Sequence, residues 1–259
     1  MTATDTDTSA FGRQLRLWRT QRGLTQLDLA TRAETTPRHL SFLETGRSRP
    51  RTEMVLRLAG VLDLRPRERN RLLEAAGLRP AFAPRSLADP EMSPYRDAID
   101  SLLQSHEPLP AAVVDRYGAI RQANAAFERI APGLIGLEPE ELVDRTFGAR
   151  PWRDSIINWS EVASAWIAGQ RREAQRTGDS RLAALVERAQ ALIGPAPHLA
   201  DNPDAPIVCS RMRVGDEVLE LFTAVVRFDD ATDINLSELR IELIYPANET
   251  ARSFFRRAG

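Results

Sequence analysis

Apolar residues recur at helical spacing from residue 11 to residue 76. Phe11, Leu15 and Trp18 share one face of a helix predicted from Phe11 to Arg22, and Gly23 stands where a C-terminal cap belongs. Thr25 opens a second helix to Ala33, with Leu29 and Ala30 inward. Thr36 is a natural N-cap, followed by Pro37 at the first helical position, where a missing N–H costs nothing. This third helix runs to Glu44, buries Leu40 and Leu43, and is ended by Gly46. Thr52 caps a fourth helix with Val55, Leu58, Ala59 and Leu62 inward. Pro66 starts a fifth with Leu72 and Leu73 inward, and Gly77 closes it. The pattern predicts an all-α five-helix domain over residues 11–77.

The pattern then changes. Residues 78–92, LRPAFAPRSLADPEM, are rich in proline and read as a stiff, extended linker. Ser93-Pro94 repeats the cap-plus-proline start of a helix to about Gln104, with Ile99, Leu102 and Leu103 inward. Ala112 to Asp115 is a short apolar strand, Asp115-Arg116-Tyr117-Gly118 carries turn residues, and Ala119 to Gln122 pairs back. Asn124 caps a helix bearing Phe127 and Ile130. Ile156, Trp159, Val162 or Ala163, and Trp166 form one helical stripe; Leu182, Leu185, Val186, Ala189 and Leu192 form another. The end of the chain is strand-rich. IVCSRMRV turns at Gly215-Asp216 into VLELFTAVVRF. In LRIELIY, Leu239, Ile241, Leu243 and Tyr245 alternate with Arg240 and Glu242, which predicts a half-buried strand with that polar pair outward. Two strands, then helices, then three strands is the element order of a PAS-like domain. Residues 93–259 are therefore expected to form an α+β fold, a five-stranded antiparallel sheet against a helical layer.

Length and composition fit a soluble globular protein of one large domain or two of ordinary size: 259 residues, 42% hydrophobic and 27% charged. No apolar run is long enough to span a membrane. Residues 1–10, MTATDTDTSA, are polar and acidic, the mark of a disordered tail on a cytoplasmic protein. Cys209 stands alone, so neither a disulfide within the chain nor a thiolate metal cluster is expected. The net charge of −1 hides an asymmetry: residues 1–80 carry 15 Arg against 9 acidic residues, and the remainder 20 Arg against 27. A basic front and an acidic back fit a nucleic-acid-binding module joined to one that avoids nucleic acid.

Only Glu34 and Thr35 separate the second and third helices. That is the helix-turn-helix arrangement, whose second helix enters the major groove of double-stranded DNA by its N-terminal end. Its exposed candidates for reading base edges are Thr35, Thr36, Arg38, His39 and Ser41. Arg38 has the forked donor geometry that suits guanine, whereas His39 also reads as a plain helix-end histidine. Arg47 and Arg49 in the following loop are placed for phosphate. The residues Leu24-Thr25-Gln26, Leu29-Ala30, Leu40-Ser41, Glu44, Gly46-Arg47 and Pro50 closely resemble the lambda-repressor-like (Xre) family. In that resemblance Gln26 matches a phosphate-clamping glutamine, at a helix end that already favours anions. Glu34 departs from it, standing where the family usually has glycine.

The later stretches DPEMSPYRDAIDSLLQSHEPLPAAVVDRYGAIRQANAAF and TDINLSELRIELIYPANETA, with Ile157-Asn158-Trp159, resemble the ligand-binding domain of MmyB-like transcription regulators. The resemblance implies a DNA-binding regulator with an elongated apolar ligand, such as a fatty acid, between sheet and helices. Candidate wall residues are Val114, Phe127, Trp152, Trp159, Trp166, Phe222 and Tyr245, all equally readable as plain core. Arg240 or Arg213 is a candidate partner for a carboxylate head group, or an ordinary surface strand residue. No catalytic residues, metal or other cofactor are expected. His106-Glu107 begins a zinc-protease-like pattern, but Pro110 stands where the second histidine belongs. His198 lacks partner spacing. One helix-turn-helix offers little contact surface, so a homodimer is expected. The rival readings are a second domain that only dimerises or docks a protein partner, and a DNA-anchored enzyme.

Overall fold

The computed structural model describes residues 10–148, 150–193, 208–229 and 231–258. The expected tail lies outside them except for Ala10, which already belongs to the first helix, and His198 lies outside them too. The chain divides into two compact units, Met1–Ser86 with Asp229–Ser237, and Leu87–Phe228 with Glu238–Gly259.

The first unit contains α1 (Ala10–Gln21), α2 (Gln26–Arg32), α3 (Pro37–Glu44), α4 (Thr52–Val61) and α5 (Pro66–Ala75). Phe11, Leu15, Trp18, Leu29, Leu40, Leu43, Leu58 and Leu72 form one buried core, the apolar stripes read from the sequence. The Thr25 hydroxyl accepts from the Asp28 amide while the Asp28 carboxylate accepts from the Thr25 amide, a capping box that starts α2. The Thr36 hydroxyl accepts from His39 N at 3.1 Å and starts α3. At α4 the cap is Arg51 rather than Thr52: Arg51 has extended backbone, Thr52 is already helical, and no side chain caps the end. α1 crosses α3 so closely that a Cβ on Gly12 would lie 2.3 Å from the Glu44 carbonyl oxygen, so any side chain there drives the helices apart.

The segment after α5 is tied down. The Asn70 side chain accepts from the amides of Ala81 and Phe82 and donates to the Phe82 carbonyl. Asp233, 5% exposed, accepts from the Arg85 amide at 2.8 Å. Ile234 N donates to Ala83 O, and Asn235 Nδ2 to Arg85 O.

The second unit begins with α6 (Ser93–Ser105), preceded by a 3-10 turn, Pro90–Met92. Ser93 is therefore already helical and does not cap α6. There follow β1 (Ala111–Val114), β2 (Ile120–Ala123), α7 (Ala125–Ile130), α8 (Pro139–Val143), a π-helical stretch Asp144–Gly148, α9 (Arg150–Ser155), α10 (Trp159–Thr177) and α11 (Ser180–Ile193). The chain ends with β3 (Ser210–Val214), β4 (Glu217–Val226), α12 (Ile234–Glu238), β5 (Arg240–Pro246) and α13 (Glu249–Ala258). The strands form one five-stranded sheet in the order β2-β1-β5-β4-β3, antiparallel throughout. Asn124 caps α7 and also accepts from the Ala111 amide and donates to the Leu109 carbonyl, pinning the first hairpin. Ile156 leaves the helical stripe proposed for it: it lies between α9 and α10, bridged to Met212 of β3.

Two ion pairs fasten α11 to the preceding segment: Arg181 to Glu140 at 3.0 Å and Arg188 to Asp144 at 2.6 Å. Each arginine's hydrogen bonds hold its carboxylate below the ordinary range. Folded values lowered in this way add stability above the unfolded carboxylate range, and that stability is lost as pH falls through the folded values. Thermal unfolding of this unit is expected to show a modest loss below about pH 4.3, the ordinary Glu value. The loss should be smaller in high salt, because both pairs are largely exposed. A loss of equal size in Arg181→Gln/Arg188→Gln would assign it elsewhere.

Candidate functional site

In the first unit, α3 presents its N-terminal end outward. Thr36 and Arg38 are exposed, and Thr35, His39 and Ser41 are partly so. The Arg38 guanidinium lies over the Phe42 ring, 5.4 Å from its centre, an arrangement that limits its freedom without consuming its donors. Arg47 and Arg49 are exposed just beyond α3. Gln26 is held from below: its Nε2 donates at 2.8 Å to Glu44, whose carboxylate also accepts from Arg19 Nε at 2.6 Å. Glu44 is 4% exposed, so a buried ion pair sets the angle at which Gln26 meets solvent. Glu34, between α2 and α3, has a φ of 51°, the left-handed conformation that glycine adopts without penalty.

In the second unit, a cavity of about 290 Å³ lies between the sheet and α7–α10. Phe127, Trp152, Trp159 and Trp166 stand on its wall, joined by Phe147, which meets Trp159 and Trp166 at ring distances of 5.4 and 4.9 Å. Val114 is buried core off that wall. Phe222 and Tyr245 must be corrected. They face each other across β4 and β5, stacked at 5.5 Å, on the opposite side of the sheet from Thr223 and Ile244, with His106 edge-on to Tyr245. The reason is strand alternation: successive residues point to opposite faces.

The same alternation reverses the expectation for β5. Ile241 is 1% exposed on the face shared with Tyr245, while Glu242 lines the cavity with Ile244 and Thr223. Arg240 does not reach the wall; its Nε lies 3.4 Å from Glu242. The indole N–H of Trp159 is buried without a hydrogen-bond partner among the described residues. A second hollow, about 460 Å³, adjoins the cavity and shares Ile130, Leu134, Trp152 and Met212 with it. Arg145 and Arg213 line it and no acidic residue does among the described residues, although Arg145 Nη2 lies 3.8 Å from Glu141 beside it.

The helix-turn-helix residues were legible because a family pattern marks them. Glu242, Thr223, Phe147 and Arg145 were not singled out, although the period of two in β5 separates Glu242 from Tyr245. No helix among the described residues is long and apolar enough to cross a membrane.

Residues 95–258 match the family described as the MmyB-like transcription regulator ligand binding domain, and residues 10–72 match a helix-turn-helix domain family. No curated protein matches. Among solved structures, the chain is similar to the clp gene regulator ClgR from Corynebacterium glutamicum, at 22% identity over 39% of this chain and 93% of that one, with a TM-score of 0.24.

Proposed function

The chain belongs to the MmyB-like transcription regulators and is a DNA-binding transcription regulator; from that premise we propose that it works in the cytoplasm as a homodimer whose grip on DNA is set by a fatty-acid-like ligand in the cavity of the second unit. One observation carries the ligand: an aromatic-walled cavity beside a hollow lined by Arg145 and Arg213 and by no acidic residue among the described ones. An acyl chain fills the first, and its carboxylate meets Arg145 and Arg213 in the second. Two copies read half-sites about 34 Å apart. Mass spectrometry of molecules released from the purified protein, with operator affinity measured before and after adding hexadecanoate, tests this. An empty protein whose DNA affinity no acyl acid alters overturns it, and sedimentation of a monomer on the operator removes the dimer.

On DNA, Arg38→Ala is expected to cost about 1–3 kcal/mol at one base position and to relax specificity there. Gln26→Ala should weaken binding to all sequences alike. Binding curves on operator and random duplexes check both, and identical behaviour of the two variants would show the roles to be misassigned.

Coupling has a covalent route. β4 and β5 supply Thr223 and Glu242 to the cavity wall, and the segment between those strands carries Asp233, which holds the Arg85 amide in the first unit. A ligand that favours one arrangement of these strands biases that segment. Asp233→Ala is expected to leave acyl-chain binding intact and to abolish its effect on operator affinity; an undiminished effect would exclude this route.

A further inference from the structure

The wall of the cavity is not uniformly apolar. Glu242 puts a carboxylate on the wall, and Thr223 is its diagonal neighbour on the same face of β4 and β5. Neither side chain makes a hydrogen bond among the described residues. The one ionic contact of Glu242, to Arg240 Nε at 3.4 Å, is too long and too single to satisfy a carboxylate with 29% of its side chain exposed. An ionised carboxylate only accepts hydrogen bonds. A purely hydrocarbon ligand would cover it with CH₂ groups and strip its remaining water, which is unfavourable.

The position of Glu242 says which part of the ligand it meets. The hollow with Arg213 opens at Met212, which pairs with Leu219 of β4, whereas Glu242 pairs with Val225 of the same strand. Six residues of β4 separate these levels, and at ~3.4 Å per residue the ends lie roughly 20 Å apart. That is the length of a long acyl chain. A ligand whose carboxylate sits at Arg145 and Arg213 therefore brings its far end to Glu242.

Taking the acyl-ligand reading as given, we propose that the cavity selects a long-chain carboxylate hydroxylated at or near its distal end, the hydroxyl donating to Glu242 with Thr223 beside it. The hydroxyl supplies the donor that Glu242 lacks. Selectivity follows from the penalty on chains that cover the carboxylate without supplying a donor, since a polar group that binding strips of water rejects the analogue without the matching partner.

Titrations of the full-length protein with hexadecanoate and 16-hydroxyhexadecanoate, followed by tryptophan fluorescence, test the assignment. The wild type is expected to bind the hydroxylated acid at least tenfold more tightly. Glu242→Leu should reverse the order by gaining affinity for hexadecanoate, and Thr223→Val should narrow the preference. Arg213→Ala should weaken both acids by the same factor. Equal affinities in the wild type, or a preference for hexadecanoate, overturn the distal-hydroxyl assignment while leaving the acyl-ligand reading standing. If neither acid binds, both fall. The wild-type ranking decides the matter even if a variant fails to fold.

Discussion

Glu44→Ala is expected to destabilise the helix-turn-helix unit by about 3–5 kcal/mol, because it leaves a guanidinium in the core without its counter-charge. Arg19 Nε and Nη2 both donate to Glu44, and the Arg19 side chain is 11% exposed. The hydrogen bonds to Glu44 raise the Arg19 guanidinium above its ordinary value, and without them it still cannot escape by losing its proton, because arginine stays charged in proteins. The same substitution frees Gln26, whose side chain is anchored on the Glu44 carboxylate. Stability and phosphate contact are therefore lost together, and a second variant separates them. Arg19→Met/Glu44→Met removes both charges, so it should recover much of the stability, since apolar replacement of a buried pair is often neutral or better. It should still bind DNA weakly, because Gln26 has lost its support. Hydrogen exchange of the α1–α5 amides reads the first effect and operator titration the second. Full DNA affinity in the double variant would show that Gln26 needs no anchor.

This ion pair shows how unevenly the sequence discloses the molecule. Helices α1–α5 are legible because each has a periodic apolar face and a local start or stop signal, such as Thr36-Pro37 before α3. The order of strands and helices in the second unit was legible for the same reason. What was not legible depends on tertiary neighbours. The alternation in β5 says that its two faces differ, not which layer each one meets. α6 packs on β1, and Ile99 and Leu103 are buried there; the apolar face with Ile241 and Tyr245 turns to that side, so Glu242 faces inward. Phe222 looked like cavity wall for want of this information. Glu44 matched a family position, but nothing in its neighbours along the chain reveals that it reaches Arg19, 25 residues away. Glu34 was recognised as an unusual turn residue, and its φ of 51° shows that the chain accepts the left-handed turn without glycine.

Arg116→Met should be the most damaging single change in the second unit, at about 3–5 kcal/mol. Arg116 Nη1 donates to Glu238 at 2.6 Å and Nη2 to Asp179, and the three side chains are 12%, 10% and 4% exposed. Asp179 also accepts from the Leu182 amide at the start of α11. One guanidinium therefore joins the β1–β2 turn to the start of α11 and the end of α12, and its positive charge stands between two carboxylates. Methionine matches much of its bulk but none of its charge, so the loss is electrostatic rather than a cavity. That gives the prediction a second signature. Removing one carboxylate charge relieves the repulsion, so Arg116→Met/Glu238→Gln should be more stable than Arg116→Met, whereas a packing defect would persist in both. Tyr117, which lines the cavity and lies between Arg116 and Arg181 at ring distances of 5.1 and 4.7 Å, should loosen with it, weakening acyl-chain binding even where the unit stays folded. Thermal unfolding of both variants, paired with hexadecanoate titration, separates the cases. Equal deficits in the two variants would mean that Arg116 matters for its shape and not for its charge.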